Sequence, residues 1–304
     1  MPRSCPRRAE CPSVTTRMNP GPSRRPRVRI GLLAGAALCF LALPGTAAQR
    51  SEAPPGQLDV LVAQGKQVYD RYCVGCHGEK GDGKGPAARL LIIKPRDFTR
   101  GVFKFRSTPS GTLPTDEDLY KMITRGVYRT SMPDWGLLPE RDRLAVVQYI
   151  KTFYPEWKAQ GPGKPIFIPE PPETLGSPES VARGKELYKL LECNACHGES
   201  GRGDGPSAGT LDPDAWGNKQ KPFDFTQGRL KSGPSPKDVY RTFMTGVGGT
   251  AMPSYADIFG EPDGENIKEG DAWHLVSYVL SLRSPIARAE KKAEAGTPAK
   301  GSAR

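Results

Sequence analysis

Two short segments carry the residues able to do chemistry, Cys73-Val-Gly-Cys76-His77 and Cys193-Asn-Ala-Cys196-His197. In each, two thiols lie within one helical turn and an imidazole follows directly. This is the C-x-x-C-H spacing through which haem c is attached: the thiols add to the vinyl groups as thioethers, and the adjacent His takes the iron as proximal ligand. The same atoms have two other readings. Four Cys and two His could surround a zinc ion, but the two units stand 120 residues apart, which suits two sites better than one. A redox C-x-x-C pair wants a βαβ context, and no such pattern is present. The remaining cysteines decide the matter. Of seven, Cys5, Cys11 and Cys39 fall in the first 48 residues, and the other four all belong to the two motifs. None is left for a disulfide framework, a nucleophile or an axial thiolate.

A sixth iron ligand must come from a short list. His occurs three times, as His77, His197 and His274, so at most one haem could be bis-His. Among the Met residues, Met132 and Met252 alone hold equivalent positions, 55 residues after His77 and His197 and each followed by Pro. Met122 and Met244 do not align and sit in helical patterns, where Met is usually core. His274 neighbours Trp273 in an apolar helix and reads as structural. His/Met ligation at His77–Met132 and His197–Met252 closes both axial positions, raises the potential relative to bis-His, and favours electron exchange over binding of O₂ or peroxide.

The elements that position these residues come in two copies. Thr115-x-x-Asp118 and Ser235-x-x-Asp238 repeat at the same 120-residue offset, each a capping box opening a helix. Asp97-Phe98-Thr99 and Asp224-Phe225-Thr226 are a further echo. Repetition on this scale means two copies of one domain. The pattern in each is helix, motif, long loop, helix, loop, helix. Helices are expected over 58–72, 116–125 and 139–153, then over 178–192, 236–245 and 269–282. No alternating strands occur, so the expected class is all-α. The expected organisation is a signal peptide (1–48), a first domain (49–158), a Pro-rich linker (159–177), a second domain (178–284) and a disordered tail (285–304). The linker is extended and semi-rigid and holds the copies close together.

The net charge of +11 does not point to nucleic acid. Eight Arg and one acidic residue lie in the first 48 positions; without them 36 basic and 32 acidic residues remain. A nucleic-acid binder concentrates positive charge on its folded part. The Arg-rich stretch instead precedes the apolar run 30–43, a Pro-Gly break and small residues at 46–48, the order of a secretory signal. At 14 residues the run is short for a membrane span of about 20. The expectation is export to the periplasm, with an uncleaved anchor as the alternative.

Each copy resembles class I cytochrome c, and the whole chain resembles a bacterial dihaem class I cytochrome c, over about 58–153 and 178–282. The resemblance rests on the two C-x-x-C-H-G motifs, on the Gly-rich loops 78–86 and 198–206 that each end in Pro, and on the later Met-Pro pairs. It implies that the Pro86 and Pro206 carbonyls accept the ring N–H of His77 and His197. It implies a first-to-last helix crossing at Gly65 and Tyr69 against Tyr149, and at Gly184 and Tyr188 against Tyr278. It also offers Arg96, Arg106 and Lys221 as partners for haem propionates. The function implied is electron transfer between protein redox partners by two covalently bound haem c groups. The chain would act as a soluble carrier or as a subunit docked to an oxidoreductase or membrane complex. The alternative is a dihaem cytochrome c peroxidase-type enzyme, which needs an open or displaceable sixth site; two equivalent Met-Pro loops argue against one.

Overall fold

The computed structural model describes residues 56–260, 267–268 and 270–283, so the expected signal peptide and tail lie outside the described residues. Helices α1 (Gln57–Tyr72), α2 (Val74–His77), α3 (Asp116–Arg125) and α4 (Glu140–Lys151) form the first copy, followed by the short α5 (Trp157–Gln160). The second copy contains α6 (Pro178–Leu190), α7 (Cys193–His197), α8 (Pro236–Thr245), α9 (Ala256–Gly260) and α10 (Asp271–Ser281). Among the described residues there are isolated bridges but no β-strand.

The middle helices start where their caps dictate. Thr115 Oγ1 accepts from the Asp118 amide at 3.1 Å while Asp118 Oδ2 accepts from the Thr115 amide at 3.0 Å. Ser235 and Asp238 repeat this reciprocal box. Both helices then stop at a left-handed glycine, Gly126 (φ 65°) and Gly246 (φ 69°).

Each copy closes by crossing its first helix with its last, α1 on α4 and α6 on α10. The crossing needs glycine. A Cβ on Gly65 would run into the Ala145 carbonyl, and one on Gly184 into the His274 carbonyl. The aromatic partners follow one turn on, Tyr69 edge-to-face with Tyr149 at 5.3 Å and Tyr188 with Tyr278 at 5.1 Å. Two separate cores result. Val68, Tyr69, Phe98, Leu119, Val146 and Trp157 belong to one, and Leu187, Tyr188, Val239, Phe243, Trp273 and Val276 to the other.

The linker is a strap rather than a spacer. Its Gly163 and Ile166 amides donate to Leu113 and Ser107 of the first copy, and its Ile168 and Leu175 pack on the core of the second. The copies also touch directly, where their lengths differ. From Pro86 to Lys94 is eight residues, but from Pro206 to Lys221 is fifteen. From Thr99 to Thr115 is sixteen, but from Thr226 to Ser235 is nine. These two seven-residue excesses meet. Lys104 of the first copy pairs with Asp214 of the second at 3.1 Å, and the Lys104 carbonyl accepts from the Gly248 amide. Arg106, only 3% exposed, donates to the Thr245 carbonyl at 2.8 Å, and Arg125 reaches the Ser232 carbonyl and the Asp238 carboxylate.

Candidate haem-binding sites

The motif helices α2 and α7 each leave a glycine-rich loop that folds back onto them. Gly83 and Gly85 donate to the carbonyls of His77 and Cys76, and Ala87 donates to that of Gly75. Gly203, Gly205 and Ser207 repeat the pattern on His197, Cys196 and Ala195. Positive φ at Gly78, Gly81 and Gly83, and at Gly198, Gly201 and Gly203, is the backbone this requires. Tyr69 and Tyr188 lock the motif to the first helix of their copy by donating to the Gly78 and Gly198 carbonyls at 2.7 and 2.9 Å.

Both imidazoles are held in the same way. His77 Nδ1–H donates to the Arg96 carbonyl at 3.0 Å, and His197 Nδ1–H to the Phe223 carbonyl at 3.1 Å. A carbonyl can only accept, so the proton sits on Nδ1 and the lone pair of Nε2 is left for a metal. Each ring lies flat on a phenylalanine, His77 on Phe98 at 4.6 Å and His197 on Phe225 at 4.4 Å. Those phenylalanines are pinned in turn, their amides donating to Gly81 and Gly201 at 2.7 Å. Burial holds both imidazoles below the ordinary histidine value, which keeps them neutral and able to ligate.

The expected acceptors Pro86 and Pro206 are therefore corrected to Arg96 and Phe223. The Gly-rich loop commits its backbone to the motif's own carbonyls, and its closing proline lies exposed at the surface. The ring is received by the next segment, Lys94-Pro-Arg-Asp-Phe-Thr99 in one copy and Lys221-Pro-Phe-Asp-Phe-Thr226 in the other. The repeated Asp-Phe-Thr marked this segment, but the seven-residue excess between motif and echo hid its register.

The thiols are free in both motifs and half-buried. Burial pushes the Cys73 thiol up to about 12 and Cys193 to about 11, the reverse of the lowered value that makes a redox C-x-x-C reactive. Among the described residues no three His, Cys, Asp or Glu side chains converge as a metal ion would require. Haem c fits better: each motif presents two free thiols and an imidazole Nε2 within one turn.

Met132 and Met252 lie half-buried in loops with the same hydrogen-bond pattern. The Met132 amide donates to Thr130 Oγ1 at 3.1 Å and its carbonyl accepts from Val127; Met252 does the same with Thr250 and Val247. The threonines were missed, although Gly-Val-x-x-Thr-x-Met-Pro recurs at the 120-residue offset. Of the basic residues offered as propionate partners, Arg106 is committed to the other copy and Arg96 stacks on Trp216, its Cζ 3.4 Å from the ring centroid. His274 is satisfied by Ser180 Oγ at 2.8 Å and serves the α6–α10 crossing.

Comparison with known proteins gives a consistent picture. Residues 60–150 match the family model of cytochrome c oxidase, cbb3-type, subunit III, and residues 181–283 match that of cytochrome c. A chain of the Kuenenia stuttgartiensis reducing HAO-like protein complex Kustc0457/Kustc0458 is 43% identical, spanning 73% of this chain and 96% of that one at a TM-score of 0.66. Thiosulfate dehydrogenase of Stutzerimonas stutzeri is 24% identical over 78% of this chain and 72% of its own length. The cytochrome bc1 complex cytochrome c subunit of Corynebacterium efficiens is 24% identical, and the match spans 57% of its length.

Proposed function

This chain belongs to the c-type cytochromes, as two cytochrome c domains in tandem, and we propose that it is the electron-transferring subunit of an exported multi-protein redox complex rather than an enzyme in its own right. Bound haem c supplies an iron that takes up and releases one electron at a time. The residues of the chain do the rest. Cys73 with Cys76, and Cys193 with Cys196, hold the two groups covalently. His77 and His197 are the proximal ligands, kept neutral by burial and aimed by the Arg96 and Phe223 carbonyls. Met132 and Met252 are the sixth ligands, on loops tied down by Thr130 and Thr250. With the imidazole and the methionine loop both held in place, bound haem would exchange electrons with little reorganisation and would offer peroxide no open position.

The observation that carries this reading is the identity of the two sites. The same Nδ1-to-carbonyl bond, stacked phenylalanine and threonine-tied methionine occur in both, so neither copy is specialised for substrate. A role inside a complex is supported by the 43% identity to a chain of a multi-protein complex over 96% of that chain. Protein redox partners on the periplasmic side fit the secretory order of the leader. Among the described residues no helix is long and apolar enough to cross a membrane.

Mass spectrometry of protein matured with the haem-attachment machinery tests the cofactors, with two haem additions per chain expected. Spectra of the oxidised protein should show both irons low-spin, and neither thiosulfate nor hydrogen peroxide should react with the isolated protein at a catalytic rate. Turnover of thiosulfate, or a high-spin haem that consumes peroxide, would replace the carrier by an enzyme.

A further inference from the structure

Arg96 serves two masters. Its carbonyl receives the His77 ring at 3.0 Å, while its guanidinium lies flat on the Trp216 indole of the other copy. Trp216 belongs to the stretch that the second copy has in excess, so the first copy has no counterpart. Its loop is rigid: Asp214 Oδ1 accepts from the Trp216 and Asn218 amides at 3.1 and 2.9 Å, and Lys104 clamps the other carboxylate oxygen at 3.1 Å. Arg100 of the first copy reaches the Ala215 carbonyl. The indole edge also abuts Gly249, where a Cβ would come within 2.7 Å of ring atoms; the Gly249 carbonyl accepts from Ala215 at 2.8 Å. Gly249 lies in the Met252 loop. The indole thus spans from the methionine loop of one copy to the residue that aims the histidine of the other.

The electrostatics point the same way. Among the described residues no carboxylate lies within ion-pair distance of the Arg96 guanidinium; Asp214, which Lys104 holds, and Asp97 act on it from further away. The indole face shields that charge from water. A shielded positive charge beside an iron site disfavours the ferric state, whose net charge is one unit higher, and so raises the reduction potential.

We propose that Trp216 of the second copy is a positioning residue for the iron ligand of the first, fixing the Arg96 segment that aims His77 and keeping the Arg96 charge dry, so that the potential of the first haem is set across the seam. The proposal deepens the electron-transfer reading and rests on His77 as a haem ligand. Without the indole, water screens the guanidinium and the Lys94–Thr99 segment loses its outer support.

The test is a redox titration of the dihaem protein as wild type, Trp216→Leu and Trp216→Phe. The wave that moves in His197→Met identifies the second haem. Trp216→Leu should lower the reduced-to-oxidised ratio of the first haem about tenfold at fixed ambient potential, about 59 mV for one electron, and leave the second unchanged. Trp216→Phe keeps an aromatic face and should hold most of the wild-type value. The paramagnetically shifted NMR signals of the oxidised first haem should move in Trp216→Leu alone. If that variant folds poorly, Arg96→Gln removes the same charge while keeping the carbonyl, and should lower the same wave. With both haems attached, waves that move together or do not move overturn the proposal. A wild-type chain lacking haem on Cys73 and Cys76 overturns the haem reading instead, and mass spectrometry reports that separately.

Discussion

A proximal histidine has two nitrogens, and what holds one decides what the other can do. In both copies Nδ1 is spent on a backbone carbonyl, and the ring cannot rotate because a phenylalanine lies under it. The methionines are the proposed counterpart on the sixth-ligand side. Met132→Ala and Met252→Ala should each keep both haems, since thioethers and proximal His remain, while abolishing one haem's Met–iron signature and lowering its potential. Optical and EPR spectra of each oxidised variant check this; a variant with unchanged axial ligation sinks the assignment. The motif residues were legible because their chemistry is contiguous in sequence. The His acceptors were not, since a carbonyl carries no residue signature: Arg96 and Phe223 differ in kind and share only their place between a Lys-Pro pair and the Asp-Phe-Thr echo.

At the scale of elements, the sequence was most readable where a local rule decides the outcome. Both capping boxes open their helices where expected, and α3 and α8 span the expected residues. The expected last helices overshoot by a few residues, since a terminal turn has no cap residue to mark it. The helix crossings rest on absent side chains. Alanine is normally the better helix former, yet Gly184→Ala should destabilise the second copy by about 2 kcal/mol, because the added methyl meets the His274 backbone and cannot be relieved by a rotamer change. Chemical denaturation of the haem-loaded protein measures it. A neutral or stabilising result would mean that α6 and α10 do not touch at this point.

The whole molecule is more than its repeat. The 120-residue offset made two domains legible, but the seam between them is built from length differences, and a repeat is recognised by what it shares. Two seam carboxylates, Asp214 and Asp238, lie below the ordinary value. Burial opposes this in both, but for Asp214 the Asn218 amide, Lys104 and the Trp216 amide outweigh it, and for Asp238 Arg241, Ser235 and Arg125 do so. A depressed carboxylate stabilises the fold above its unfolded value near ~3.9, and that contribution is lost as pH falls through the lower folded value. Asp214→Asn and Asp238→Asn should therefore each cost about 1–3 kcal/mol at pH 7. The gap to wild type should close in acid, as unfolding curves at several pH values would record; a gap independent of pH removes these charges from the seam. The paired excesses also have a consequence for assembly. A tandem of equal repeats joined face to back leaves one unmatched face at each end, an invitation to head-to-tail growth. Here the second copy lacks the seven residues that carry the clamp, and the first lacks those that carry the indole. Among the described residues each half of the contact occurs once and is used within the chain, so the seam leaves no spare half of itself exposed for head-to-tail growth.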